Sequence, residues 1–285
     1  MGNNVLSAIA NISNFRTNDL RAYSSRYLIR INAVGDQLEY YVKDALAGSF
    51  SMQQAKKEAV YSSVFSYLGN QNNPPDVILK GGDAFEIKKI ESPKNSIALN
   101  SSPPKDNLHF SDPMLTDACR RCEGNKWQEK DLFYIVGHAK KGTLKYLFIV
   151  HGKCYAAEKS VYNKIHGSLK GEITKTIKAS GLEMGETVEL GRVNKSDPLG
   201  ITELRIRGMW QIRNPIEVFS YVYTYNSAKE FSLVTLMTKD KYDSYPEQDI
   251  QAIEKNKSIA VSDVKIKDPN NPAKRINAKL IVCGW

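Results

Sequence analysis

The chain has 285 residues, and its 41% apolar and 25% charged fractions exclude a disordered or fibrous protein. It has no run of 18 apolar residues, and its start, MGNNVLSAIANISNF, lacks the basic region and cleavage site of a signal peptide. We therefore expect a cytoplasmic protein with no membrane span. The 40 Lys and Arg outnumber the 31 Asp and Glu, and the net charge of +9 favours a polyanionic partner.

Apolar residues recur every three or four positions through the first 70 residues. This period predicts helices over 3–12, 33–48 and 51–69. The second helix carries one apolar stripe: Val34, Leu38, Tyr41, Val42 and Ala45. Glu39 lies just beside that stripe, and Ser51 is the predicted N-cap of the third helix.

From Pro75 onward the hydrophobic period falls to two, which predicts strands. The first four are expected at 76–80, 84–90, 132–138 and 144–151. The connection HAKKGTLK between the last two is short and rich in Gly and Lys. Those two strands should therefore form an antiparallel hairpin.

A helix, basic on its polar face, is predicted over 155–180, and strand-like runs follow it. These runs are 200–212, 218–225, 231–239, 258–266 and 275–285. No repeat or break in composition forces a second domain. We expect one domain over 1–285, with a helical N-terminal part, 1–70, and a sheet-rich part, 71–285.

The segment from Ser92 to Lys130 contains SSPPKD and SDP and has few apolar positions. It is too long for a passive connector in a compact domain, so we expect it to bind a ligand. Arg120 and Arg121 lie in it, near Trp127. This basic and aromatic combination suits DNA phosphates, although a plain solvated surface has the same composition.

The stretch PPDVILKGGDAFEIKKIES, residues 74–92, places charged residues where apolar packing should prevail. Residues two apart on a strand face the same side. Glu86 and Lys88 therefore project together, while Phe85 and Ile87 project into a core. Asp76 joins the charged face only if the hairpin register allows it.

Two registers of this hairpin are possible, and they differ in where Asp76 falls. A two-residue turn at 81–82 places Asp76 opposite Ile87 and separates the acids. A three-residue loop at 81–83, with one glycine at positive φ, pairs Asp76 with Lys88 and gathers the charged side chains on one face. We predict the second register or an equivalent bulge.

Two carboxylates beside a lysine suit a hard divalent cation, because Mg²⁺ binds one or two carboxylates, keeps several waters and accepts phosphate oxygens. Such a cation ionises its water and stabilises the charge that develops on a phosphate. Lys88 can orient the nucleophile or act as a fixed cation. An exposed hairpin with an incidental salt bridge is the alternative that the spacing leaves open.

PPD followed after nine residues by EIK resembles the PD-(D/E)XK signature of metal-dependent nucleases. The resemblance implies an α/β (α+β) fold with a restriction-endonuclease-like core, a central mixed β-sheet flanked by helices. It implies Asp76 and Glu86 as metal ligands, the Ile87 carbonyl as a further ligand and Lys88 as the catalytic lysine. Glu39 is similar to the acid that many members supply from the preceding helix.

Longer stretches, SYLGNQNNPPD, EIKKIES and DPLGITELRIRGMW, resemble the NgoPII group of restriction endonucleases. The resemblance implies a homodimeric, Mg²⁺-dependent type II endonuclease that cuts double-stranded DNA within a short palindrome, usually GGCC in this group. The host would also need a protective DNA methyltransferase, a functional partner. A structure-directed repair or recombination nuclease, and a non-catalytic DNA-binding protein with the same core, are the alternatives.

A GGCC site presents guanine acceptors and cytosine amino donors in the major groove, so arginines and a few acids or amides are the expected readers. Arg205 and Arg207 lie two apart on a predicted strand and should project together. The turn-rich GRVNKSDPLG adds Arg192, Asn194 and Asp197, and the last can accept a hydrogen bond from cytosine N4.

The four cysteines are too sparse for a disulfide scaffold. Cys119 and Cys122, in CRRC, can supply half of a zinc site, with His151 and Cys154 as the other half. The 28 residues between Cys122 and His151 match no common zinc module. Zinc binding therefore stays open at this stage.

Overall fold

A mixed β-sheet forms the centre of the molecule, with helices on both of its faces. The structure is a computed structural model and describes residues 2–23, 33–70 and 73–285, without the side chains at 33–36 and 70. Its α-helices are α1 (Val5–Phe15), α2 (Ala33–Ala47), α3 (Gln54–Val64), α4 (Asp117–Arg121), α5 (Gly152–Tyr155), α6 (Lys159–Ala179), α7 (Pro215–Val218), α8 (Lys239–Asp243) and α9 (Glu247–Glu254). Its strands are β1 (Phe65–Asn70), β2 (Asn73–Leu79), β3 (Ala84–Ile90), β4 (Ile97–Asn100), β5 (Asn107–His109), β6 (Glu129–Lys140), β7 (Thr143–His151), β8 (Gly191–Val193), β9 (Leu204–Ile206), β10 (Trp210–Ile212), β11 (Ser232–Thr238), β12 (Ile259–Lys267) and β13 (Arg275–Gly284).

The main sheet has the strand order β1–β2–β3–β6–β7–β11–β13–β12, and β5 pairs with β6 beside this path. β3 runs parallel to β6, and β7 runs parallel to β11, while the other neighbours are antiparallel. Two small sheets, β4 with β10 and β8 with β9, lie outside it. The predicted central mixed sheet flanked by helices is confirmed, and so is the β6–β7 hairpin.

Successive side chains of each strand point to opposite faces of the sheet, so the core consists of two apolar clusters, one on each face. The first cluster joins α1, α2 and α9 to side chains such as Phe85 and Ile87 of β3. The second joins Ile78 of β2 and Ala84 of β3 to the side that carries α4 and α7. The predicted stripe of α2 is buried at Leu38 and the three apolar positions after it, and Val34 lies outside the described side chains.

The predicted third helix is wrong at both ends. α3 begins at Gln54 behind Gln53, which makes no side-chain cap, so Ser51 is not its N-cap. α3 stops at Val64, and the next residues form β1, paired antiparallel with β2 through Phe65 and Leu79. Pairing with β2 gives the backbone of β1 long-range partners, which overrides the local helical pattern.

The predicted strand over 218–225 is also wrong. Asn214 accepts a hydrogen bond from the Ile216 N–H at 3.0 Å, and Pro215 occupies the first turn, so the chain begins helix α7 there. Turns follow, and the aromatic side chains of this stretch, such as the buried Phe219, pack on the second cluster from those turns. Their β-like composition reflects burial.

The long segment from 92 to 130 is an ordered excursion that contains β4, β5 and α4. β4 pairs with β10, and β5 pairs with β6, so two parts of the excursion are held in sheets. None of the helices in the described ranges combines the length and the apolar character that a membrane crossing requires.

Candidate active site

The β2–β3 hairpin brings the predicted acids together, although its register differs from the predicted one. Val77 pairs with Phe85 and Ile78 with Ala84, so continued pairing places Asp76 opposite Glu86. The predicted pairing of Asp76 with Lys88 is wrong by two residues.

The loop has three residues as predicted, but it is Lys80–Gly81–Gly82, with Gly81 at φ 63°. Asp83 belongs to the strand side, because its main-chain oxygen accepts from the Leu79 N–H at 3.0 Å. Its carboxylate is also held, by Lys241 at 2.6 Å and by the Tyr245 hydroxyl at 3.0 Å.

A shift of two residues leaves every side chain on the same face of the sheet. Ile78 and Ala84 belong to the second apolar cluster, and Asp76, Glu86 and Lys88 alternate onto that same face. The prediction that the three charged residues share a face is therefore confirmed, despite the wrong register.

The three side chains form a buried, incompletely paired cluster, which we call the acid–lysine cluster. Asp76 and Glu86 are only 9% and 8% exposed. Asp76 Oδ2 accepts from the Ile87 N–H at 2.5 Å, and Lys88 Nζ lies 2.6 Å from Glu86 Oε1. Glu86 Oε2 is buried and has no hydrogen-bond partner among the described residues. One carboxylate oxygen of the site is thus unpaired within the part of the chain that the structure describes.

Burial raises the pKa of Asp76 well above its ordinary value, and the negative charge of Glu86 raises it further. The ammonium of Lys88 offsets only part of this shift. Burial tends to lower the pKa of Lys88, but the charges of Glu86 and Asp76 outweigh it and raise that pKa above the ordinary value. The free site therefore holds Lys88 as a cation, and this charge does not fully compensate the two acids.

Glu39 approaches the cluster from the other side of the sheet. Its helix, α2, packs in the first apolar cluster, yet the Glu39 charge contributes to raising the pKa of both Asp76 and Lys88. Lys43 Nζ lies 3.6 Å from Glu39 Oε2. The structure thus places Glu39 within electrostatic range of the acid–lysine cluster.

The cluster opens into a pocket of about 390 Å³. Its wall combines the β2–β3 hairpin with the excursion after β3 and the segment before β10. The lining residues are Asn73, Pro74, Asp76, Glu86, Lys88, Leu99, Asn100, Ser101, Ser102, Met114, Arg207 and Met209. The mostly polar wall and the open mouth suit an extended polar ligand better than a small apolar one.

Gly69 lets β1 approach the backbone that carries Asp76. A Cβ at this position would lie 2.3 Å from the Pro75 oxygen and 2.9 Å from the Asp76 oxygen. Any side chain at position 69 would therefore push the Asp76 backbone out of place. The peptide bond between Pro74 and Pro75, in the same stretch, is cis.

The donor set of the cluster fits a hard divalent cation. Within the described ranges, no three His, Cys, Asp or Glu side chains gather closely enough to hold a metal ion by themselves. The cluster offers two carboxylates and the unpartnered Glu86 Oε2. Mg²⁺ typically takes one or two carboxylates and completes its shell with water and phosphate oxygens, so the residues present fit it.

Lys105 is a residue near the site that the sequence did not reveal. It is 8% exposed, and burial lowers its pKa, partly offset by the charges of Asp112 and Glu86. Its backbone N–H donates to the Tyr134 hydroxyl at 2.7 Å, and Tyr134 pairs with Glu86 across β3 and β6. In the sequence this lysine belongs to the polar SSPPKD, which looks like a solvated loop.

Arg205 and Arg207 are tied to an acid that the sequence did not mark. Both guanidiniums bind the Glu189 carboxylate, Arg205 at 2.6 Å and Arg207 at 2.8 Å. Both remain about half exposed, and Arg207 also lines the pocket that contains Asp76. Of the predicted DNA-reading residues, Arg207 is the one that lines this pocket in the described part of the chain.

The other predicted readers are engaged within their own segments. Asp197 accepts from three backbone N–H groups, those of Leu199, Ile201 and Thr202. Its carboxylate shapes the loop between β8 and β9. Arg192 is ion-paired with Glu203, and the Asn194 backbone N–H donates to the Glu183 main-chain oxygen at 2.8 Å.

In the excursion, Arg120 donates to the carbonyls of Phe110 and Asp112, at 3.2 and 2.8 Å, and therefore braces its own loop. Arg121 is exposed. DNA contacts from both stay a prediction.

The cysteines and His151, which the sequence offered as zinc ligands, contact other groups in the structure. Cys119 and Cys154 are buried in the second apolar cluster, and all four cysteines are free thiols. His151 Nε2 lies 3.1 Å from Asp131 Oδ1, and its ring stacks on Phe133. These contacts account for His151 without a metal.

The mixed sheet with flanking helices is consistent with a restriction-endonuclease-like fold. The comparisons with known proteins agree. The model of the NgoPII restriction endonuclease family matches residues 3–267, and the chain belongs to this family. A relative, the type II restriction enzyme NgoPII of Neisseria gonorrhoeae, is 46% identical over 279 residues, 98% of each chain. No solved structure matches the chain.

Membership in this family confirms the resemblance inferred from the sequence and makes the protein a site-specific restriction endonuclease.

Proposed function

We propose that the protein is a type II endonuclease that uses Mg²⁺ to hydrolyse phosphodiester bonds of double-stranded DNA within a short palindrome. The observation that supports this most is the buried acid–lysine cluster with its unpartnered Glu86 oxygen. GGCC is the proposed recognition site, and it rests on the resemblance to the NgoPII group. A palindromic site suits a homodimer, in which two active sites related by a two-fold axis meet two equivalent strands.

Asp76 and Glu86 would hold the metal ion, with the Ile87 carbonyl as a further ligand and Glu39 as an outer acid. When bound, Mg²⁺ supplies a water of lowered pKa and stabilises negative charge on the phosphate. The Ile87 N–H fixes the Asp76 carboxylate at 2.5 Å, so this ligand is oriented before any ion arrives.

Lys88 acts as a fixed cation at the reacting phosphate. Because the neighbouring acids raise its pKa, its ammonium is protonated in the free enzyme. Its bond to Glu86 Oε1 holds it beside the metal ligands. From there it stabilises the charge that develops on the phosphate and orients the attacking water.

DNA would lie across the open pocket, with Arg207 at its edge. The net charge of +9 favours association with a polyanion. Arg205 and Arg207 are the proposed base or phosphate contacts near the site, and Arg192, Asn194, Asp197, Arg120 and Arg121 remain weaker candidates. A cytoplasmic location and a protective methyltransferase in the same host are part of the proposal.

The test is to incubate the protein with a sequenced plasmid and Mg²⁺ and to map the fragment ends. Discrete fragments that begin and end at GGCC are expected, and EDTA should abolish cleavage. Asp76→Ala should lose cleavage and keep DNA binding, because one buried acid contributes little to a many-contact DNA interface. Random fragmentation, or cleavage that survives Asp76→Ala, contradicts the proposal.

A further inference from the structure

Exposed apolar side chains gather on one part of the molecule. Among the residues whose side chains are described, fourteen large apolar ones are exposed, and ten of these lie between Val161 and Met209. Three of the ten, at positions 161, 165 and 169, form a stripe along α6, which we call the outer stripe. The other seven lie on residues 182–209, the segment with β8 and β9, which we call the arm.

The tip of the arm is a firmly shaped loop that presents apolar groups to solvent. Leu199 is 80% exposed and Ile201 is 78% exposed. Asp197 accepts from the backbone N–H groups of both, and the Ser196 N–H donates to the Thr202 oxygen at 2.8 Å. Because these hydrogen bonds hold the loop in one conformation, Leu199 and Ile201 are exposed by the structure of the loop itself.

α6 supports the arm but is itself little covered. Of its 21 residues only Ile177 is buried. β8 packs closely on it, since a Cβ at Gly191 would lie 2.8 Å from Ile173 Cγ2. On its open side, Cβ atoms at Gly167 and Gly171 would meet nothing within 4 Å. A glycine inside a helix lowers the stability of the helix. No close approach within the described chain requires a glycine at either position.

The charges of the arm cancel within it. Arg205 and Arg207 bind Glu189, Arg192 binds Glu203, and Lys195 binds Glu183 at 2.9 Å. Its five acids and four bases leave a net charge of −1, on a chain whose total is +9. Away from the pocket, where Arg207 lies, the arm therefore offers little free positive charge to DNA phosphates.

Exposed apolar patches rimmed by polar residues mark protein–protein contacts. α6 complements the arm in charge, because it carries five lysines and one glutamate. In a dimer with a two-fold axis, the arm of each copy contacts α6 of the other copy. The same contact then occurs twice, and it covers both patches on both copies. The patches are therefore self-complementary in a dimer.

We propose that the arm and the outer stripe form the homodimer interface, with a second copy of this chain as the occupant. The inference rests on the proposed dimeric endonuclease and names the surface that the dimer uses. The C-terminal end of the arm, Arg207 and Met209, lines the pocket with Asp76, Glu86 and Lys88. A partner seated on the arm thus lies beside the active site, as cleavage of two nearby strands requires.

The test is sedimentation equilibrium of the full-length protein without DNA. The wild type should sediment at twice its 32.0 kDa chain mass. Ile165→Glu and Ile201→Glu each place two unpaired charges in the interface of one dimer, and each should raise the dimer dissociation constant about a hundredfold or more. Both positions are exposed, so circular dichroism and urea unfolding should match the wild type.

Met52→Glu is the matched control, an exposed apolar side chain outside the arm and α6, and its dissociation constant should stay within about threefold of the wild-type value. A monomeric wild type, or dimers unaffected by both variants, overturns the inference. Unchanged dimers with weakened binding of a GGCC duplex in EDTA also overturn it and assign the arm to DNA.

Failure of the proposed function has a different signature. A wild-type chain that never cleaves DNA with Mg²⁺ refutes the nuclease, whatever its mass in the centrifuge. A wild type that cleaves, with arm variants that stay dimeric, refutes only the interface.

Discussion

Two clusters of acids and lysines lie near β3, one on the β2–β3 hairpin and one at the turn before β3, and they differ in how fully their charges are matched. In the acid–lysine cluster, two acids share Lys88, and Glu86 Oε2 has no partner within the described ranges. In the second, which we call the anchor network, Lys241 bridges Asp83 and Asp131 at 2.6 and 2.8 Å. The difference separates the proposed cation site from a cluster whose matched charges stabilise the fold.

The anchor network satisfies each of its carboxylate oxygens. Asp83 Oδ2 accepts from the Tyr245 hydroxyl at 3.0 Å, and Asp131 Oδ1 lies 3.1 Å from His151 Nε2. Although burial tends to raise the pKa of Asp131, its bonds to His151 and Lys241 outweigh burial and hold that pKa well below the ordinary value. The network joins the turn before β3 to β6, β7 and α8.

The pKa shifts of the buried Asp76 and the partly buried Asp131 have opposite directions, which shows what each environment favours. The anchor network stabilises the charged form of Asp131, whereas the acid–lysine cluster disfavours the charged form of Asp76. Charge that is costly in the free protein indicates a functional site, while matched charge indicates a structural one. Substitutions in the two clusters should therefore act on different quantities.

The largest effect is expected for Lys88→Ala, because it removes the fixed cation from the reacting phosphate. Cleavage should fall about a thousandfold, and DNA affinity should stay within about tenfold. Single-turnover cleavage and filter binding measure the two. Lys89→Ala, at the next position and on the opposite face, is the control and should cleave nearly as the wild type does. Equal losses of cleavage and binding in Lys88→Ala would contradict its catalytic role.

Lys241→Met should act on stability. It leaves two largely buried carboxylates without their shared cation, so the free energy of unfolding should fall by about 3 kcal/mol. Urea denaturation checks this, while cleavage per folded molecule should change little. Lys239→Met, which breaks an exposed pair with Asp243, is the control and should cost less than about 0.5 kcal/mol. A stable but inactive Lys241→Met would erase the distinction between the clusters.

Asp76→Asn should raise stability while it abolishes cleavage. The amide oxygen can still accept from the Ile87 N–H, and the cost of a carboxylate beside Glu86 disappears. A gain of roughly 1 kcal/mol at neutral pH is expected, as for strained functional positions generally. Thermal unfolding in EDTA measures it. A clear loss of stability would show that the Asp76 charge is matched in the free protein.

The smallest expected effect is the pH dependence of the unfolding free energy that Asp131 contributes. Because the pKa of Asp131 is lowered by folding, its contribution to stability is full above the unfolded value near 4 and is lost as the pH falls below it. The difference in unfolding free energy between wild type and Asp131→Asn should therefore be largest at neutral pH and shrink in acid. If this difference instead grew in acid, folding would raise the pKa of Asp131, which contradicts the account.

The shared face of Asp76, Glu86 and Lys88 could be predicted from sequence, since strand alternation survives a register error of two residues. The register itself could not, because it depends on Lys241 and Tyr245 holding Asp83 from far along the chain. Long-range pairing likewise hid the end of α3. The turns at 218–225, which follow the helix start at Asn214–Pro215, were mistaken for a strand because their buried aromatic residues have a β-like composition.

The arginine candidates show the same limit. Arg205 and Arg207 were visible in the sequence, but Glu189, which binds both, carried no sign of its role. Lys105 was hidden for a similar reason, since only the folded excursion buries it near Glu86. Partners that meet through tertiary structure leave no local pattern.

The most direct test is binding of a divalent cation to the acid–lysine cluster itself. Paramagnetic resonance can count Mn²⁺ bound by the wild type, with Mg²⁺ as competitor, in the presence of a GGCC duplex. Wild type should bind Mn²⁺ in a form that Mg²⁺ displaces, and both Glu86→Gln and Asp76→Asn should lose that binding. If both variants bind Mn²⁺ as tightly as the wild type, the cluster is not the metal site.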